Sequence, residues 1–221
     1  MSYFDVQSGP GRRKEGGREK HYPKDGRYYQ MVWDSFKRDL EEIEEKFKLV
    51  DHMESQRDKE AADYLRRSQV MFLTSTLDNF MHEVIRFGMK EVFVGKWKMT
   101  NAFLSYQVPF RIVFDYKKGR EDSETFIDSV DDEFRRITLT YADQIKGKLS
   151  LVGLTVDVPK ELDSGLRNLN KRRNAIAHQG DAVRGSDEKT RISSGEVKYF
   201  ISLVSKMGDM VDRAVREKGI G

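Results

Sequence analysis

The stretch from Arg57 to Phe87 limits what this chain can become. It holds no proline and no glycine, and Ala61, Leu65, Phe72, Leu73, Leu77, Phe80, Val84 and Phe87 recur along it at helical spacing. A helix rises about 1.5 Å per residue, so a segment of this length crosses a whole domain. The pattern predicts that it stops at Gly88. A rod of this kind buries its apolar positions most readily against other helices, and the expected fold class is an all-α bundle.

The flanking segments agree with that class. Met31, Phe36, Leu40, Ile43, Phe47 and Val50 predict a first helix from Tyr28 to about Val50, with Glu41, Glu42, Glu44 and Glu45 on its outer side. Between Lys90 and Gly119 an aromatic-rich segment (Trp97, Phe103, Tyr106, Phe110, Val113, Phe114, Tyr116) is broken by Gly95 and Pro109, which predicts short helices joined by turns. Phe126, Val130, Phe134, Ile137, Tyr141 and Ile145 predict one helix from a cap near Ser123 to a stop at Gly147. Leu149 to Val158 reads as an extended connection or one short strand. The final helix opens at Ser193-Ser194-Gly195-Glu196, a capping box, and buries Val197, Phe200, Ile201, Val204, Met207, Val211 and Val215.

Residues 1–26 combine Gly, Arg, Lys and Pro with almost no apolar content, which predicts a disordered basic tail ahead of a single helical domain, residues 27–221. Residues 1–27 carry seven basic and four acidic side chains. Taking those from the 40 and 37 of the whole chain leaves 33 of each, so the globular part is neutral and phosphate binding there must be local. No cysteine is present, which removes disulfides, thiolate catalysis and cysteine zinc sites. No apolar run approaches the length of a membrane span and no signal-peptide core opens the chain, so a cytoplasmic location and no membrane partner are expected.

Several catalytic motifs begin and fail. His82-Glu83 starts like a zinc-protease helix, but Arg86 stands where the second histidine belongs. Gly88 and Gly95-Lys96 are too far apart for a P-loop, and Trp97 replaces its hydroxyl residue. There is no Gly-x-Ser-x-Gly elbow, and His21, His52, His82 and His178 include no pair at metal-ligand spacing.

One motif survives. In Leu162 to Gly180, Leu162, Leu166, Leu169 and Ile176 mark one face of a helix that Pro159 opens and Gly180 ends. Near its end stand Arg172, Arg173, Asn174 and His178. Five residues turn a helix by about 140° and rise about 7.5 Å, so the long Arg173 side chain and His178 can meet one phosphate beside the helix end. Histidine takes and returns a proton near neutral pH, and arginine forks onto two phosphoryl oxygens. Internal transfer in RNA needs both services and no metal. The same cations also suit the negative end of a helix dipole. Arg173 follows Leu169 by four, close to the core stripe, where a carboxylate such as Asp78 or Glu83 would suit it as a structural partner.

Arg173-Asn174-Ala175-Ile176-Ala177-His178 resembles the Arg-x4-6-His motif of the HEPN superfamily, including the polar residue after the arginine. The long helix carrying LTSTLDNFMHEVI (Leu73 to Ile85) and the helix after Gln179-Gly180 are similar to that family too. The resemblance covers roughly residues 57–218 and is nearest to stand-alone, toxin-like or phage-defence HEPN proteins. It implies an antiparallel helical bundle, here with an extra N-terminal helix, that forms a homodimer with a composite cleft. It further implies metal-independent RNA cleavage, no cofactor, and an antitoxin or nucleotidyltransferase as a possible partner. His178 would be the acid/base, Arg173 the phosphate ligand, and Asn174 the residue that positions histidine or substrate. Arg172 offers an alternative spacing to His178, and Arg172, Asp78 and Glu83 complete the candidate substrate-binding set.

Two other classes fit the same residues. A HEPN-like binding module would hold RNA, a nucleotide or a partner protein without cutting. A purely structural bundle would use Arg173 as a buried ion-pair residue.

Overall fold

The expected rod is the axis of the molecule. In a computed structural model that describes residues 26–119, 123–179 and 189–220, helix α3 runs without a break from Lys59 to Phe93. Its 35 residues give a length of about 52 Å. Arg57, in the left-handed region at φ 61°, turns the chain into it, and the Asp58 carboxylate accepts the Ala61 N–H at 3.0 Å as its cap. From Phe80 to Val92 almost every side is covered, as expected of a helix surrounded by others.

Around α3 pack α1 (Arg27–Glu45), α2 (Phe47–Ser55), α6 (Ser123–Phe134), α8 (Lys160–Gln179) and α9 (Ser194–Lys218). The short helices α4 (Asn101–Leu104), α5 (Phe110–Lys117) and α7 (Ala142–Leu149) fill the connections. Late residues of α8 meet early residues of α3: Arg172 and Arg67 both donate to the Thr190 carbonyl, so these two helices are antiparallel. One hydrophobic cluster extends from Tyr28 to Val215. Each fully buried leucine in it, such as Leu73, Leu77, Leu166 or Leu169, contributes about 1.5–3 kcal/mol. The described residues are helical throughout their regular structure, and none of their helices is long and apolar enough to cross a membrane.

Four expectations need correction. The first helix is two, because the chain tightens at Lys46, whose N–H bonds the Ile43 carbonyl. The long helix does not stop at Gly88. That glycine is buried against Val152 and Trp97, and its missing side chain is a packing requirement. The helix expected over Ser123–Gly147 is interrupted between Phe134 and Ala142, although Ile137 and Tyr141 keep the period. Side chains of α3 hold that break open: the Asp78 carboxylate accepts the Leu139 N–H, and His82 Nε2 donates to the Ile137 carbonyl at 2.9 Å. Of the two readings of Leu149 to Val158 the short strand does not form: the chain makes a 3-10 turn, Ser150–Val152, and runs on from Leu154 as an irregular connection.

The aromatic segment does form short helices, though α5 leaves Phe110 78% exposed. Met31 and Phe72, expected inside, are 58% and 62% exposed. Ser193 caps α9 by accepting the Glu196 N–H at 3.0 Å, while the Glu196 side chain turns to Arg172 instead of closing the box. The proposed tail, residues 1–26, lies outside the described residues apart from Gly26, as does the Gly180 cap.

Candidate functional site

Helix α8 positions the motif by burying Leu162, Leu166, Leu169 and Asn170 against the core, which leaves the next turn at the surface. Asn170, only 4% exposed, anchors it. Its amide donates to the Thr140 and Leu166 carbonyls, both at 2.9 Å, and the Thr140 hydroxyl donates back to its Oδ1 at 2.6 Å. The helix is thereby bolted to the interrupted segment between α6 and α7. Sequence reasoning passed over Asn170, although an amide on an otherwise apolar stripe is a readable signal of a buried polar contact.

One turn later the two arginines part. Arg172 donates to the Thr190 and Arg191 carbonyls at 3.1 and 2.9 Å and lies 3.5 Å from Glu196, so it ties the returning chain to α8. Arg173 is half-buried and donates to the Asn174 Oδ1 at 3.1 Å. Asn174 and His178 are exposed and four residues apart, hence on one helical face a turn from each other. Asn174 bridges the angular gap between arginine and histidine. Among the described residues His178 has no hydrogen bond or ion pair, and its side chain is exposed.

Arg173 and Asn174 line a cleft of about 520 Å³ between α8, α3 and the interrupted segment. Asp78 lies in its wall, held there by the Leu139 N–H and 3.7 Å from His82. The structure therefore brings Asp78, Arg173 and Asn174 to one cleft. Glu83 lies elsewhere. It accepts from the Tyr28 hydroxyl and pairs with Arg135, inside a network in which Arg86 pairs with Asp128. The broken zinc-protease motif thus has a structural use, joining α1, α3 and α6. Arg136, Thr138, Tyr141 and Gln144 also line the cleft; an uninterrupted helix hides the first two and Gln144 as site residues and gives Tyr141 only as a position of the apolar stripe. No cluster of three His, Asp or Glu suited to a metal ion occurs among the described residues.

Chemically, the arrangement offers an ionised fork beside a polar cleft and a solvent-facing imidazole one turn away. A family model, RiboL-PSP-HEPN, matches residues 34–217. The match takes in most of α1, α2 and the aromatic segment as well as the part of the chain that carries the motif. No curated protein and no solved structure matches the chain.

Proposed function

The chain belongs to the HEPN superfamily, in its RiboL-PSP-HEPN family, and on that premise we propose that it is a metal-independent endoribonuclease acting as a toxin or antiphage effector. The observation that carries this reading is the division of labour at the end of α8. Arg172 is committed to backbone carbonyls, whereas Arg173 faces a cleft and His178 stands open. In the reaction, the 2′-oxygen of the RNA attacks the adjacent phosphorus and the bond to the 5′-oxygen breaks. The products are a 2′,3′-cyclic phosphate and a 5′-hydroxyl. His178 accepts the 2′-hydroxyl proton or returns one to the leaving oxygen, and Arg173 forks onto the phosphorane oxygens. Asn174, bonded to Arg173, holds the guanidinium toward the substrate. Pairing of two copies across the α8 ends would supply a histidine for each proton transfer.

The charge balance of the globular part favours a second reading, a discrete binding module for RNA, a nucleotide or a partner protein such as an antitoxin or a nucleotidyltransferase. One experiment separates them. Wild type and His178→Ala are expressed in a bacterial host, purified, sized and incubated with RNA in EDTA. The nuclease reading expects cleavage by a dimeric wild type and a rate roughly 10²–10⁴-fold lower in the variant. Equal cutting by both would overturn it. Binding that weakens in Arg173→Ala, with no product from any form, would establish the module.

A further inference from the structure

The cleft beside Arg173 is larger and more polar than a phosphate ligand needs. At about 520 Å³ it falls within the 300–1,000 Å³ of sites that enclose a small organic ligand. Its back wall is fixed, since Thr140 and Asn170 are 1% and 4% exposed and satisfy each other. Its mouth is different. The Tyr141 hydroxyl, the Gln144 amide, the Thr138 hydroxyl and the Asn174 Nδ2 have no partner among the described residues. Two hydroxyls and an amide that both donate and accept, with one further N–H donor, grouped beside an aromatic ring and a guanidinium, suit a base that has left its stack.

We infer that this cleft is a base-recognition subsite. It takes one unstacked nucleotide of single-stranded RNA beside the phosphate on Arg173, with Tyr141 against the base and Gln144 and Asn174 on its hydrogen-bonding edge. The identity of the ligand as RNA rests on the ribonuclease reading above; the polarity and size of the cleft do not. The consequence is sequence preference: cutting occurs next to a preferred base.

The test is binding of the four nucleoside 3′-monophosphates to the full chain by titration calorimetry, with Gln144→Ala and Tyr141→Ala alongside. Gln144 is exposed at the start of α7, so its truncation leaves the fold intact, and it keeps the test decisive if Tyr141→Ala proves unstable. The expected result is that one or two of the four bind measurably and that affinity falls roughly 5- to 100-fold in each variant. Failure of all four to bind wild type, or equal binding by wild type and Gln144→Ala, would overturn the subsite. Mapping cut positions in a random-sequence RNA separates the two claims. Binding that is lost in the variants while no RNA is cut keeps the subsite and removes the nuclease. Cutting with the same base profile in wild type and Gln144→Ala keeps the nuclease and removes the subsite.

Discussion

Arg172 and Arg173 carry the same charge in adjacent positions, yet about 100° of helical turn sends them to different work. Arg172 satisfies two carbonyls of the chain entering α9, and a net hydrogen bond of this kind contributes about 1 kcal/mol. Arg173 satisfies one neighbouring amide and lines a cleft. Arg172→Ala is therefore expected to cost about 1–2 kcal/mol, a melting shift of roughly 2–8 °C for a chain this size. Arg173→Ala should stay within about 0.5 kcal/mol of wild type while losing RNA cleavage. Melting curves of the two variants check this, and a larger loss of stability in Arg173→Ala would favour a structural arginine. The motif itself was legible in the sequence because six contiguous residues carry it. The separate placement of the two arginines was not, since the partners of Arg172 come from residues 18 and 19 positions further on.

At the scale of elements, periodicity located the helices and misjudged their ends. Gly88 and Gly147 both look like stops, and both lie inside helices for opposite reasons. A Cβ on Gly88 would meet Val152 Cβ and Cγ2 at 2.8 Å and Trp97 Cζ3 at 2.9 Å, none of them the end of a flexible chain. A Cβ on Gly147 meets nothing within 4 Å. Alanine gains up to about 1 kcal/mol over glycine in a helix, whereas overpacking a core costs about 1–3 kcal/mol. Gly88→Ala is thus expected to destabilise by about 1–2 kcal/mol and Gly147→Ala to stabilise by about 0.5–1 kcal/mol. Urea midpoints of the two variants should move in opposite directions, and movement in the same direction would refute the packing account. The break between α6 and α7 was illegible for a related reason. Asp78 and His82, far away in sequence, capture its backbone groups, and the apolar period continues across it unchanged.

At the scale of the whole molecule, α1 is joined to the bundle by two buried hydroxyls, and this gives the fold an alkaline limit. Tyr28 donates to Glu83 and accepts from Arg86 at 3.1 Å, while Tyr29 donates to Asp212 at 3.0 Å. Burial first, and the adjacent carboxylate second, push both phenols well above their ordinary value of 10.0. A group whose folded-state value is raised supports the fold fully below its unfolded value and ceases to as pH rises beyond it. Above pH 10 the unfolded chain releases these two protons and the folded chain keeps them. Each tyrosine should then remove about 1.4 kcal/mol of stability per pH unit. Tyr29→Phe removes one of the two and leaves Asp212 paired with Arg216 at 2.8 Å, so the variant retains a satisfied carboxylate. Unfolding free energies measured at pH 9, 10 and 11 should fall less steeply for Tyr29→Phe than for wild type. Lysines and the exposed tyrosines titrate equally in both proteins and cancel in that comparison, so parallel slopes would mean that the Tyr29 proton is not held by the fold.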